Sequence, residues 1–163
     1  MGYLSRDPAG AVTALIALVR SIKGTGYYTQ LTCVVEALIV PEDSDAPMLP
    51  YAAVVPDDAP ATVVLGESTV ELLSRLTVYF FVPENSSSEG APSSVIAAYQ
   101  ALGDWAKAFL LDAQDGDPLS GLVDEVVLGP PEFDAGVVIG KYGEVRFPVL
   151  LRQVTGPDGL GPS

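Results

Sequence analysis

Apolar residues recur at Val12, Leu15, Ile16, Val19 and Ile22, the three- and four-residue spacing of a single helix face. This predicts a helix over 8–23, with Asp7 as its cap and Pro8 in its first turn. Arg20 and Lys23 would complement the dipole in the last turn, and Gly24 would stop it. From residue 28 the rhythm changes. The β-branched run 28–40 predicts a long strand. One of its faces carries Leu31, Cys33, Val35, Ala37 and Ile39 and is wholly apolar. The other carries Thr32, Val34, Glu36, Leu38 and Val40 and is mixed. The first is expected to receive helices and the second to be available to another chain.

Residues 41–68 are proline-rich and acidic, with no base. They predict a long excursion holding short strands at 51–55 and 61–65; such connections are usually functional or disordered. The segment 70–82 predicts a second strong strand, with Leu76, Val78, Phe80 and Val82 on one face. A polar linker follows, then a helix over 92–112 with Pro92 early in it. Its predicted stripe is Val95, Ile96, Tyr99, Leu102, Ala106, Phe109 and Leu110, with Trp105 flanking it. Strands are predicted at 122–128, 136–139 and 143–154, the last two as a hairpin around Gly140–Gly143. Pro148 cannot donate to a ladder, so the last strand is expected to be edge-like or bulged. The order predicts one α+β domain over 1–155, a mostly antiparallel sheet with two main helices on one face, and a flexible tail over 156–163.

Composition narrows what such a domain can do. Its 163 residues contain no histidine, one cysteine and a net charge of −13 from 21 acids and 8 bases. The commonest general base and metal ligand is missing, and Cys33 has no activating partner of the usual kind. A tight nucleic-acid binder needs clustered cations, and here the bases are scattered. Neither a membrane span nor a signal peptide is predicted.

Candidate motifs fail on order or spacing. "KGTGYYTQ" at Lys23 offers two glycines, but a dinucleotide fingerprint runs strand, glycines, helix, and here the helix comes first. "GKYG" at Gly140 lacks phosphate-loop spacing. Asp112, Asp115, Asp117, Asp124 and Glu125 cluster in sequence, but Leu119 and Ser120 stand where a calcium loop needs an oxygen ligand and a glycine. Adjacent Asp57 and Asp58 would point apart on an extended segment. No enzyme, metal site or cofactor is therefore predicted.

Surfaces remain. Tyr27, Tyr28, Tyr51, Trp105 and Tyr142 are candidate interface anchors, with partial burial as the alternative for each. Arg20, Arg75, Arg146 and Arg152 are candidates to pair with acids of a neighbouring copy, with ordinary exposed ion pairs as the alternative.

The layout "ALVRSIKGTGYYTQLTCVVEALIV", a Pro-rich excursion, "RLTVYFFVP", "IAAYQALGDWAKAFLLDA", "GLVDEVVLGPPEFD" and "GEVRFPVLLRQV" resembles the tail terminator proteins of long-tailed, lambda-like phages over about residues 10–155. The resemblance is one of layout, without a short motif. It implies a cofactor-free virion subunit, assembled in the host cytoplasm into a hexameric ring at the tail–neck junction. The ring would cap the tail tube, stop its polymerisation and join the head-completion or connector protein. Partners would be other copies, the major tail tube protein and that neck protein. DNA would cross the lumen without specific binding, and no membrane would be involved. Tyr27, Tyr28, Arg75, Trp105, Arg146 and Arg152 are expected at subunit or partner contacts. Glu42, Asp43, Asp45, Asp57 and Asp58 are expected to face the lumen or tube, where like charge keeps DNA from adhering. Alternatives are another neck protein, a tail-tube subunit, a small carboxylate-dependent hydrolase and a monomeric binding module; two strong helices weigh against the tube subunit.

Overall fold

A computed structural model of the chain describes residues 7–83, 85–86, 92–93, 95–134 and 142–160. In chain order the elements are α1 Pro8–Arg20, β1 Val34–Val35, β2 Tyr51–Pro56, β3 Ala61–Val64, β4 Val70–Pro83, β5 Asn85–Ser86, β6 Pro92–Ser93, α2 Val95–Gln114, β7 Glu125–Leu128, β8 Glu132–Asp134 and β9 Tyr142–Thr155. Short 3-10 turns occupy Pro118–Gly121 and Pro157–Gly159. Residues 161–163 of the predicted tail, the strand predicted at 136–139, and Gly140 and Lys141 of the predicted turn lie outside the described residues, while Tyr142 and Gly143 open β9.

Strands β4 and β9 pair antiparallel over their whole length, from Val70↔Thr155 to Pro83↔Tyr142. Around them the sheet runs β1-β2-β4-β9-β7, with β3 also on β4 and β8 also on β9. Among the described residues, only the β1–β2 pair is parallel. Alternation on the two long strands sends Leu76, Val78, Phe80, Val145, Phe147, Val149 and Leu151 into one core beneath both helices. The fold is thus α+β, with both helices on one face of a mostly antiparallel sheet, as the periodicity predicts. Asp7 caps α1, accepting the Gly10 N–H at 2.9 Å.

Four expectations are corrected. The long strand over 28–40 reduces to Val34–Val35. Its backbone groups go elsewhere: Leu31 N–H to the Ile22 carbonyl, Thr32 N–H to the Pro50 carbonyl, and Thr29 N–H to Asp104. Its alternation breaks too, because Leu31 and Val34 enter the helix-side core while Cys33 and Val35 pack on the opposite face. Secondly, α1 ends at Arg20, so Lys23 lies beyond it. The other helix begins at Val95, and Pro92 pairs with Ser86 instead of opening it. Thirdly, β9 is an inner strand and not an edge, although its outer ladder is interrupted at Pro148 as the bulged alternative has it: β7 ends opposite Val149 and β8 begins opposite Arg146. Gly129 N–H donates to the Pro148 carbonyl at 2.9 Å, so the proline's missing donor faces the gap between β7 and β8, where no ladder bond is required.

The fourth correction concerns the phase of α2. Its buried face is Ala97, Ala98, Ala101, Asp104, Trp105 and Ala108; of the predicted stripe, Leu102 and Phe109 pack against the core. Small side chains let the helix approach α1 and the sheet closely, and Trp105 fills the remaining space. Its indole stacks on Phe147 at 4.6 Å and meets Phe80 and Phe109 edge-on at 6.0 and 4.7 Å. Val95, Ile96, Tyr99 and Leu110 are left facing outward.

Candidate functional site

The corner Lys23–Gln30 is built as a set of fastened backbone groups. Gly24 and Gly26 have φ of +79° and +96°, values that side chains with a Cβ rarely adopt. Gln30 folds back on it, its Oε1 accepting the Gly24 N–H at 2.6 Å and its Nε2 donating to the Gly24 and Tyr27 carbonyls at 2.9 and 2.7 Å. From α2, the buried Asp104 carboxylate accepts the Tyr28 and Thr29 N–H groups at 3.2 and 2.6 Å. Lys107 Nζ donates to the Gly26 carbonyl at 2.6 Å and lies 5.1 Å from the Tyr27 ring centre. The glycine-rich turn therefore does present amide donors to an anion, and that anion is the chain's own carboxylate. Neither Asp104 nor Lys107 is singled out by any motif; the available signal is that Asp104 falls in helical phase with Ala97, Ala101 and Ala108.

This architecture separates the two tyrosines. Tyr27 packs against the core and Lys107. Tyr28 is 75% exposed and stands at the junction of two open grooves. One, of about 470 Å³, is lined by Gly26, Ile96, Tyr99, Gly103 and Lys107; the other, of about 270 Å³, reaches Pro50 and Pro83. Tyr99 contacts Phe133 at a ring separation of 5.1 Å. A continuous apolar and aromatic patch thus lies over the outer side of α2.

The helix-free face of the sheet has two halves. Toward Pro83, the segment 33–50 covers a second cluster of Tyr51, Ala53 and Phe81, with Tyr79 and Tyr142 packed against it. Tyr51 is fully buried, its hydroxyl donating to the Ile39 carbonyl; burial, then the charge of Asp43, pushes its pKa up to about 12. Tyr142 donates to the Glu42 carboxylate at 2.8 Å, and burial followed by that bond raises its pKa as well. Toward Val70, the other half is uncovered and carries Leu73, Arg75, Leu150 and Val127.

The proposed contact residues are thus dispersed. Trp105, 3% exposed, is core and has no surface with which to meet a partner. Arg146 is held by Glu144 at 2.9 Å, with Glu132 at 3.9 Å; the Glu144 hydrogen bond is the main reason its pKa is raised. Arg152 is paired with Glu71 at 2.9 Å. Such part-exposed pairs contribute about 0.2–1 kcal/mol each. The acids divide into two groups. Glu42, Asp43 and Asp45 lie at the Tyr142 end of the sheet. Asp57 and Asp58 follow β2 beside mid-β4, where Asp57 accepts the Thr77 hydroxyl at 2.7 Å. Six residue steps along β4, from Thr77 to Pro83, separate those positions by about 20 Å.

Among the acids near the end of α2, Asp112 accepts the Leu119 N–H at 2.9 Å, and Asp124 accepts the Val154 N–H at 2.6 Å. Among the described residues no group of three or more His, Cys, Asp or Glu is placed to hold a metal ion, and no helix is long and apolar enough to cross a membrane. Compared with known proteins, the chain matches no protein-family model and no curated protein.

Proposed function

We propose that the chain is a structural ring subunit of a phage tail, a tail terminator that caps the tail tube and joins it to the neck. The observation that carries this reading is the phase of α2. A helix with apolar residues on both sides normally has both sides covered, yet Ile96, Tyr99 and Leu110 are 60–64% exposed. Ile96 and Tyr99 line one groove with Tyr28 on the helix side of the sheet, while Leu73, Leu150 and Val127 lie side by side on the opposite face. Two unlike patches on opposite faces suit head-to-tail contact between copies, which closes into a ring when the rotation permits. The layout resemblance supplies the hexamer and the partners, the major tail tube protein and the head-completion or connector protein.

In this reading the work is mechanical and needs no cofactor. The ring seats on the last tube ring, blocks further addition and offers its other surface to the neck, within a virion assembled in the host cytoplasm. Acids of the 41–60 segment border the lumen or the tube, and their charge keeps passing DNA from adhering. Arg75 and Tyr28 belong to subunit contacts.

The test is native mass spectrometry of the purified chain, alone and with its tail tubes, alongside electron microscopy of the tubes. The expected result is a species of six times the 17.0 kDa chain mass, with density at one end of tubes of limited length. A chain that stays monomeric in both settings, on tubes that keep growing, refutes the reading.

A further inference from the structure

The uncovered half of the helix-free sheet face carries one cation in an unusual position. Arg152 and Arg146 on this face are bound within the chain, to Glu71 and Glu144. Arg75 is exposed, and no described carboxylate lies within salt-bridge distance of it. Its neighbour Asp57 donates its N–H to the Arg75 carbonyl but turns its carboxylate to Thr77. Around Arg75 lie Leu73, Leu150 and Val127. Exposed Arg20 differs, because it sits in the last turn of α1, whose carbonyl end already favours a cation.

At the other end of the same face stands a complementary group. The segment 33–50 is fastened at several points: Thr32 Oγ1 donates to the Met48 carbonyl at 2.6 Å, Tyr51 holds Ile39, and Tyr142 holds Glu42. On this anchored segment Asp43 accepts the Val40 N–H at 3.2 Å. Asp45 is exposed and makes no hydrogen bond or ion pair with a described residue. An anchored carboxylate loses little freedom on meeting a partner.

We propose that Arg75 of one copy receives Asp45 of a second copy, so that the segment 41–46 docks on the uncovered half of the sheet face. Within one chain the two cannot meet. Arg75 lies eight residues of β4 from Pro83, at whose end the acidic segment sits, a span of about 26 Å. Made once per pair of copies, the contact is head-to-tail and can repeat around a ring; made reciprocally, with Asp45 of the first copy also on Arg75 of the second, it would close a two-fold dimer. Asp58 provides the contrasting geometry. It adjoins Asp57, which is bonded to Arg75, so an Arg75–Asp58 contact would be two-fold and end at a dimer. In a chain of charge −13, meeting at a lone cation also limits like-charge repulsion between copies. The inference rests on the ring reading above; it moves the 41–46 acids Glu42, Asp43 and Asp45, and Asp57 beside Arg75, from the lumen wall to the subunit contact, and it seats that segment, instead of the Tyr28–Tyr99 patch, on Leu73, Leu150 and Val127.

The test compares full-length wild type with Arg75→Glu, Asp45→Arg, the double exchange, and Arg75→Glu with Asp58→Arg, by native mass and sedimentation, alone and on tail tubes. Both single variants are expected to raise the concentration for half-assembly by about tenfold or more with unchanged melting temperature, and the Arg75→Glu/Asp45→Arg exchange to restore assembly. If single variants assemble like the wild-type ring, the contact is wrong while the ring stands. If the Asp58 exchange restores assembly instead, or the species is a dimer, the head-to-tail contact is overturned. Wild type that assembles in neither setting removes both the contact and the ring.

Discussion

Asp104 is the sharpest test of how the Tyr27–Tyr28 corner is held. Its carboxylate is 3% exposed and accepts two backbone N–H groups. Replacing it by asparagine preserves shape and one acceptor but turns an NH₂ group toward the other N–H. A hydrogen bond to a charged group is worth about 1.5–3 kcal/mol, and a buried donor left without an acceptor costs about 1–3 kcal/mol. Because the two figures overlap in origin, the expected loss is about 2–4 kcal/mol. That is a large part of the roughly 5–15 kcal/mol that holds a domain folded. For a chain of this size it corresponds to a melting temperature lower by about 5–15 °C. Fluorescence of Trp105, which directly follows Asp104, reports the transition, and amide exchange reports the corner itself. Thr29 should lose protection in Asp104→Asn, while the exposed Asp58→Asn should leave both readouts unchanged. Unfolding within about 0.5 kcal/mol of wild type, with Thr29 still protected, would show that the carboxylate does not hold the corner.

Other outcomes follow from the same packing. Trp105→Ala removes the centre of the aromatic stack with Phe147, Phe80 and Phe109 and should cost about 3–5 kcal/mol in urea unfolding. Tyr28→Ala should leave stability within about 0.5 kcal/mol but weaken assembly, whereas Tyr27→Ala should lower stability, because only Tyr27 packs on the core; equal stability losses would contradict that division. Tyr51 and Tyr142 have folded-state pKa values raised above the usual tyrosine value of 10. The folded state therefore holds their protons longer than the unfolded chain does. The stability this contributes is complete below pH 10 and is lost as pH rises from 10 through about 12. Denaturation midpoints across that range should fall, and less steeply in Tyr51→Phe.

Elements whose neighbours are local or regular were legible in advance. The α1 stripe, the two long strands and their buried faces follow from periodicity, because one-sided burial writes itself into spacing. Spacing gives the α2 limits to within about three residues but only part of its facing, since the usual rule assigns the largest apolar residues to the core. Here Ala97, Ala98, Ala101 and Ala108 are buried and Ile96 and Tyr99 are not. The candidate contacts were legible only as residue types: the prediction names Arg75, Arg146 and Arg152 alike, and cross-strand neighbours bind two of them within the chain.

By itself, then, the amino-acid order determined the fold class, the strand and helix inventory over most of the chain, and the acidic, histidine-free composition. Those properties depend on local spacing and on totals. Tertiary structure decided that residues 28–40 are mostly not ladder, that Pro148 is tolerated inside the sheet, and that Trp105 is core. It also decided that the glycine corner answers to Asp104, some 75 residues away. Each outcome turns on which group, distant in sequence, takes a backbone donor or covers a face, and only the folded chain brings those groups together.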